Sequence, residues 1–452
     1  MPEHPSPDLS AFPPGFRWAT ATAAFQVEGS RTADGRGRSI WDDFVDTAGS
    51  VLGGATADPG PDSYRRSSED VALLKELGVD RYRFSLSWVR VQPEAGAAPV
   101  RAGLDYYRRL ADDLLDAGIT PFATLYHWDL PSTLEAGGGW LARDTALRFG
   151  EYAEIVAAAL GDRIRHWYTV NEPVSTSLQG YAVGALAPGR ELLFGSLPTV
   201  HHQLLAHGLA AEALRGHGAE EVGIVNNHTL VIPASDSGED AAAAAVYDLL
   251  HNRIFADPIL GGVYPELEAF GIPPMPVEDG DLALISARGD FYGVNFYNPT
   301  TVAASSAESP VPFEIVPTPG AAVTGFGLEW PIVPSALTEL LVDLRDRYGD
   351  RLPPVVIGEN GASFPEPDHI DAPIDDAERI EYLATHIDAV GAALRAGVDV
   401  REYTVWSLLD NFEWADGYTQ RFGLVHVDFE SAARTPKASF TWYRSLISEA
   451  RR

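Results

Sequence analysis

The stretch Val355-Val356-Ile357-Gly358-Glu359-Asn360-Gly361, preceded by Pro353-Pro354, decides the fold class. Three β-branched aliphatics in a row predict a short strand buried on both faces, as in a parallel sheet. The run then stops on an acid, an amide and a glycine. A carboxylate at the end of an apolar strand is costly to bury without a partner. A closed barrel of parallel strands gives it a purpose, because chemistry is placed at the carboxyl ends of such strands. Taken alone, a solvated strand end explains Glu359 equally well. The rest of the chain has to discriminate.

Working outward, helices are predicted at 334–348 and 375–396, with a strand at 400–408 and a last helix at 437–448. Toward the amino terminus, the strand-like stretch 16–28 is followed by a Gly-, Arg- and Asp-rich loop at 29–66. The next helix, 69–77, is closed by Gly78, and 81–88 alternates as a strand does. Helices at 103–117, 145–160, 198–215 and 240–256 then alternate with strands at 119–128, 164–172, 222–228 and 290–297. Eight strand–helix units in unbroken alternation imply parallel pairing and a closed (β/α)8 TIM barrel. We expect one such α/β domain over 16–452, after an irregular extension at 1–15. The stretches 298–330 and 409–436 read as long loops at the carboxyl-terminal face, the face on which loops build a site.

Composition narrows the function. A net charge of −31 over 452 residues repels nucleic-acid phosphates and anionic membranes. Lysine occurs only at positions 75 and 437, so arginine carries nearly all the positive charge. There is no cysteine, which removes disulfides, thiol catalysis and thiolate metal sites. Residues 1–15 hold five prolines and no apolar core of a secretory signal. No run of 18 apolar residues occurs, so the expected location is cytoplasmic. The glycine patterns at 34–37 and 137–139 do not open a helix after a strand, which discounts a nucleotide site.

What gathers at the strand ends is polar and aromatic. Gln26, Arg83, His127-Trp128-Asp129, Asn171-Glu172-Pro173, Asn295-Phe296-Tyr297, Glu359 and Trp406 all fall there, and Glu413-Trp414 follows strand eight. Amides, a histidine and carboxylates can each make two hydrogen bonds to vicinal hydroxyls. Indoles offer a flat apolar face with an N–H edge. That mixture suits a sugar. Two glutamates facing each other, from strands four and seven, match the pair needed to cleave a glycosidic bond. One must be a protonated acid and the other ionised. Arg83 and Tyr297 are the candidates to hold Glu359 ionised. His201, His202 and His207 share a helix but lack metal-ligand spacing, so packing is expected of them, as it is of Trp88 and Trp140. The acidic face at 375–381 is expected to be solvated.

At this point the chain resembles glycoside hydrolase family one, the β-glucosidase family. The blocks are ATATAAFQVEG (19–29), YRFSLSW (82–88), TLYHWDLP (124–131), TVNEP (169–173), DFYGVNFY (290–297), IGENG (357–361) and WSLLDNFEWADGYTQRFGLVHVD (406–428). Their order along nearly the whole chain makes the resemblance specific. It implies a retaining β-glycosidase with Glu172 as acid/base and Glu359 as nucleophile, needing no metal or organic cofactor. Asn295 and Tyr297 would position the nucleophile, with Arg83 beside it. Gln26, His127, Trp128, Asn171, Trp406, Glu413, Trp414 and Phe422 would bind the sugar, and Trp330 would border the aglycone path. The implied partner is a small β-glycoside or short oligosaccharide, acted on by a monomer or homo-oligomer. The chain departs from the family where Gly358 replaces a common Thr, Val174 a common Trp, Leu186 a common His and Phe296 a common Tyr. Val174 and Leu186 make the wall near the acid less polar, which points to a nonstandard aglycone. Alternatives are a transglycosylase, a 6-phospho-β-glycosidase and a non-catalytic sugar-binding barrel.

Overall fold

The computed structural model describes residues 4–306 and 308–452. Eight strands form its centre: β1 Arg17–Ala21, β2 Arg81–Ser85, β3 Thr120–Tyr126, β4 His166–Asn171, β5 Glu221–Asn227, β6 Tyr292–Asn295, β7 Val355–Asn360 and β8 Val400–Trp406. They close in the order β1-β8-β7-β6-β5-β4-β3-β2, every pairing parallel. Around them run α1 Ser63–Leu77, α2 Arg101–Asp116, α3 Arg143–Leu160, α4 Leu197–Gly216, α5 Gly238–Asp248, α6 Pro334–Tyr348, α7 Ala377–Arg395 and α8 Ala438–Ala450. This is the (β/α)8 barrel that the alternation predicts.

The packing follows from the residues. All of β7 is buried, as a strand must be when helices cover one face and the barrel interior lies on the other. Helix α2 buries Tyr106, Tyr107, Leu110, Ala111 and Leu114, a three-and-four spacing that lays one stripe against the strands. Inside the barrel, Phe122, Tyr168, Val225, Phe291 and Val356 form a compact plug. Helix α4 is buried nearly all round, which makes it a core element and explains its histidines. His201 meets Asp281 (2.9 Å), His202 the Trp140 carbonyl (2.8 Å) and His207 the Thr169 hydroxyl (2.7 Å). Each is satisfied within the fold. Trp88 and Trp140 are core residues as well.

The differences from expectation have local causes. β1 ends at Ala21, and Gln26 lies on a helical turn, Ala24–Val27, instead of a strand end. β2 ends at Ser85, and Trp88 begins another short helix, Trp88–Val91. The loop expected at 29–66 contains a helix, Ile40–Val45, opened by a reciprocal Ser39/Asp42 cap; that capping pair is visible in the sequence. The loop after β6 carries strands Thr300–Ala304, Phe313–Val316, Ala322–Thr324 and Gly327–Ile332, and the loop after β8 folds a hairpin from Val425–Asp428 and Ala433–Pro436. At the acidic segment, Asp375, Glu378 and Glu381 are exposed, but Asp376 is buried and accepts from Arg379 (2.8 Å) and Ser439 (2.6 Å). A solvated face is thus wrong for that one residue, because a buried guanidinium needs a partner. Residues 1–3 of the expected extension lie outside the described residues. Beyond them Leu9–Ala11 makes one 3₁₀ turn, and Phe12 packs on Phe16 and Trp18.

Candidate active site

Strand register sets up the site. Pairing between β7 and β6 skips a residue between Ile357 and Glu359, and pairing between β4 and β5 skips between Tyr168 and Asn171. Such irregularities re-aim the side chains that follow. Both occur where the two glutamates leave the barrel. Glu172 itself has φ +46°, Trp128 +76° and Trp414 +49°. Left-handed backbone costs roughly 1–2 kcal/mol in a non-glycine residue and collects where a side chain must face a site. Gly358 is required for a different reason. A Cβ there would stand 2.8 Å from Asn295 Oδ1 and 2.9 Å from Val225.

The two carboxylates have unlike surroundings. Arg83 Nη1 donates to Glu359 Oε1 at 2.6 Å and Tyr297 Oη to Oε2 at 2.6 Å. Arg83 is held in turn by the Gly358 carbonyl (2.9 Å), by Asn171 Oδ1 (2.5 Å) and by the Tyr168 ring, 4.5 Å below it. Glu172 meets only neutral donors: Asn295 Nδ2 (2.7 Å) and Asn227 Nδ2 (3.2 Å) at Oε1, and Ser175 Oγ (2.7 Å) at Oε2. Asn295 also donates to Asn171 Oδ1 (3.2 Å), tying β4, β6 and β7 into one network.

Burial pushes the Glu359 carboxyl up to about 7; Arg83 opposes the rise and Glu172 adds to it. The expectation that Arg83 and Tyr297 hold this acid ionised is therefore met in contacts and not in net effect. Burial likewise raises Glu413 well above the carboxylate range, with Asp416, Glu359 and Glu172 adding to it. His127 is kept neutral, by burial first and Arg83 second. Asn171 Nδ2 lies 3.0 Å from His127 Nε2, so that nitrogen accepts and the proton sits on Nδ1.

A single cavity of about 920 Å³ opens over these groups, and His127, Trp128, Glu172, Tyr297, Trp330, Glu359, Trp406, Glu413, Trp414 and Phe422 are on its wall. Ten of the fourteen residues singled out from sequence thus converge. The other four, Gln26, Arg83, Asn171 and Asn295, stand behind the wall. Gln26 Nε2 reaches Asn411 Oδ1 (3.0 Å), the Phe412 carbonyl (2.9 Å) and Glu413 Oε2 (3.2 Å), while its Oε1 has no protein partner. The Trp128 N–H is spent on the Asn171 carbonyl (3.0 Å). That leaves its ring, which packs 4.5 Å from Trp414. Sequence reasoning missed Asn227 and Ser175, the partners of Glu172, and His251 behind Asn227 (3.3 Å). Asn227 closes strand five, so the strand-end rule reaches it once applied there. His251 carries no such signal.

The arrangement can protonate a leaving oxygen from one side and present a carboxylate from the other. A family model described as "Glycosyl hydrolase family 1" matches residues 9–451. The chain belongs to glycosyl hydrolase family 1. Among family 1 relatives, it is 43% identical to a beta-glucosidase of an Agrobacterium species, over 98% of this chain and 97% of that one. It is 40% identical to beta-glucosidase A of Thermotoga maritima, over 97% and 98%. The solved psychrophilic beta-glucosidase of Micrococcus antarcticus superposes with a TM-score of 0.93 at 44% identity, covering 98% of both chains. The family 1 enzyme of Thermotoga maritima gives 0.92 at 39%, covering 97% and 98%.

Proposed function

We propose that this family 1 chain is a retaining β-glucosidase in which Glu359 is the nucleophile and Glu172 the acid/base. The observation that carries the assignment is the difference in partners. A nucleophile needs a cation against the carboxylate it must present, whereas an acid/base that hands a proton back and forth is served by neutral donors. Glu359 has Arg83; Glu172 has amides and a hydroxyl. The two amides on Glu172 Oε1 leave Oε2 to carry the transferable proton, with Ser175 free to turn its hydroxyl and accept from it.

The reaction then runs as a double displacement. A Glu359 oxygen bonds the anomeric carbon as the glycosidic C–O bond breaks, and the Glu172 proton goes to the leaving oxygen. Water, giving its proton to the same Glu172, releases the sugar and restores both acids. The carboxyl groups must lie roughly 5–5.5 Å apart for this. Trp406 and Trp414 supply flat faces for the pyranose, and His127 and Glu413 supply hydrogen bonds at the wall. Solved complexes of the Thermotoga maritima beta-glucosidase with glucoimidazole and deoxynojirimycin support a sugar-like ligand for such a site.

Among the described residues, no lysine or arginine lines the cavity, and Glu413 does. With no cation among the described residues of its wall, the 6-phospho alternative lacks a cradle. No described helix is long and apolar enough to cross a membrane, and cytoplasmic residence is part of the proposal. The decisive test is 4-nitrophenyl β-glucoside turnover followed by NMR. The β-anomer should form first, and Glu359→Ala should lose about 10⁴-fold or more in kcat. First appearance of the α-anomer, or an active Glu359→Ala, would end the assignment.

A further inference from the structure

The cavity is far larger than the catalytic centre it covers, and its outer half has a different chemistry. At about 920 Å³ it lies at the upper end of what encloses a drug-sized ligand. One outer wall comes from the helical segment Ser175–Ala182 and the loop after it, which bring Leu178, Leu193 and Phe194. The facing wall comes from the strands after β6 and brings Phe313, Ile315 and Leu328. Val174 and Leu186, two of the positions where this chain departs from its family, line the same space.

Exposure sharpens the point. Ile315 is 53% exposed, Leu328 65%, Leu193 42% and Val183 51%. All four line this one cavity. Scattered exposed leucines are ordinary, whereas apolar side chains gathered at one mouth mark a binding surface. Their continuity with Glu172 and Glu359 identifies the occupant as part of the same substrate molecule. Charge narrows it further. No cation faces the outer cavity among its described lining residues, Asp416 does, and the whole chain carries −31. An anionic group there would be repelled, and a second sugar could bond Gln179, Asn298 and Thr318 but would leave the exposed leucines, valine and isoleucine facing its hydroxyls.

We infer that the preferred substrates carry a bulky, neutral, hydrocarbon-rich aglycone, of long-chain alkyl or fused-ring type, instead of a second glucose. This rests on the β-glucosidase reading above and names the substrate class for that site. The chemistry is unchanged: the alcohol leaves with the proton from Glu172, and the wall acts on binding alone.

The test is a series of methyl, butyl, hexyl and octyl β-glucosides beside cellobiose, each below its micelle concentration, with 4-nitrophenyl β-glucoside as control. The alkyl leaving groups share nearly the same basicity, so differences report the wall. From the transfer value of a buried methylene, kcat/KM should rise roughly fourfold per carbon until the cavity is filled. The octyl glucoside should exceed cellobiose by about 10²-fold. The double variant I315N/L328N, altering two exposed side chains, should cut the octyl-to-methyl ratio about tenfold. A flat alkyl series, or cellobiose matching octyl, in an enzyme that cleaves the nitrophenyl substrate overturns the aglycone inference alone. Failure on every substrate overturns both readings.

Discussion

Arg81 and Arg83 sit two residues apart on β2, so both point into the barrel, and each guanidinium lies over an aromatic ring of the plug. Arg81 is 4.9 Å from Phe122 and Arg83 4.5 Å from Tyr168. Their electrostatic company differs. At the amino-terminal end, Arg81 bridges Glu402 (3.1 Å) and Glu221 (2.6 Å), and Arg17 reaches the same two acids at 3.2 and 3.7 Å. Two cations meet two anions, with His166 at 3.1 Å from Glu221. At the carboxyl-terminal end, Arg83 faces Glu359 directly, with Glu172 and Glu413 close enough to perturb it. One cation serves three acids. The balanced cluster fastens strands together and holds Glu221 low, while full burial still raises Glu402 against Arg81 and Arg17. An unbalanced one cannot offset burial, and both Glu359 and Glu413 are pushed up by it and by their neighbouring acids.

The largest effect should come from removing each arginine in turn. Arg83→Met should lower kcat/KM by about 10²–10³-fold, the usual cost of losing one charge partner in a closed site. Because Arg83 opposes the rise of Glu359, its loss must move the acidic limb of the kcat/KM profile to higher pH. Arg81→Met should instead cost about 3 kcal/mol of stability, since it leaves the buried Glu402 with Arg17 alone, and leave that limb in place. Urea unfolding and pH–rate profiles of both variants check this. Equal movement of the limb in the two would abolish the contrast.

The next effect is a pair of opposite pH dependences. Glu359 goes from about 4.5 unfolded to about 7 folded, so the native state binds the extra proton between those values. Stability contributed by this group is complete below pH 4.5 and is lost as pH rises through 7, in total about 3 kcal/mol. Glu359→Gln should therefore stabilise the fold at pH 8 and hardly alter it at pH 4.5. At the other end, burial works against Glu221, but His166, Arg81 and Arg17 outweigh it and hold the acid at about 2. Its contribution is present above pH 4.5 and lost as pH falls toward 2. Glu221→Gln should destabilise at pH 8 and approach neutrality at pH 2. Thermal unfolding across pH would show the two curves diverging; parallel curves would contradict the comparison.

Much of the catalytic end was legible because it obeys a rule of position. Once the alternation is read as a barrel, the residue closing each strand is a candidate, and Glu172, Asn295 and Glu359 follow. The balanced end was not legible. Arg17, Arg81, Glu221 and Glu402 lie up to 385 residues apart (Arg17 to Glu402), and nothing local says that they meet. The outer cavity was half visible: Val174 and Leu186 indicated a less polar wall, but Ile315 and Leu328 sit in a stretch read as loop. Its short strands pair within a two- and a three-stranded sheet, and such edges give too little alternation to recognise. Gln26 belongs to a helical turn and not to the strand end that its position predicts, because four residues are too few for a helical period to show.

The smallest effect concerns Glu172, whose surroundings are neutral by design of the network. Asn227 Nδ2 donates to it, so Asn227 Oδ1 must face away, and there it meets His251 Nε2 at 3.3 Å. That nitrogen then carries the proton, and Nδ1, 3.4 Å from Tyr247 Oη, accepts. Burial, with a smaller push from His228, keeps the His251 ring down at about 3, hence uncharged at any working pH. His251 is thus a positioning residue: it chooses which end of the Asn227 amide faces the acid. His251→Ala should let that amide turn and weaken proton delivery. Methyl or octyl glucosides, whose basic leaving oxygens need the proton, should lose about tenfold in kcat/KM, whereas a dinitrophenyl glucoside should lose little. The loss should be the same at pH 5 and pH 8, because a neutral ring has no charge to titrate. A loss that grew toward acid pH would mean that His251 acts through charge, which would put a second cation near the acids and undo the one-against-three count at this end of the barrel.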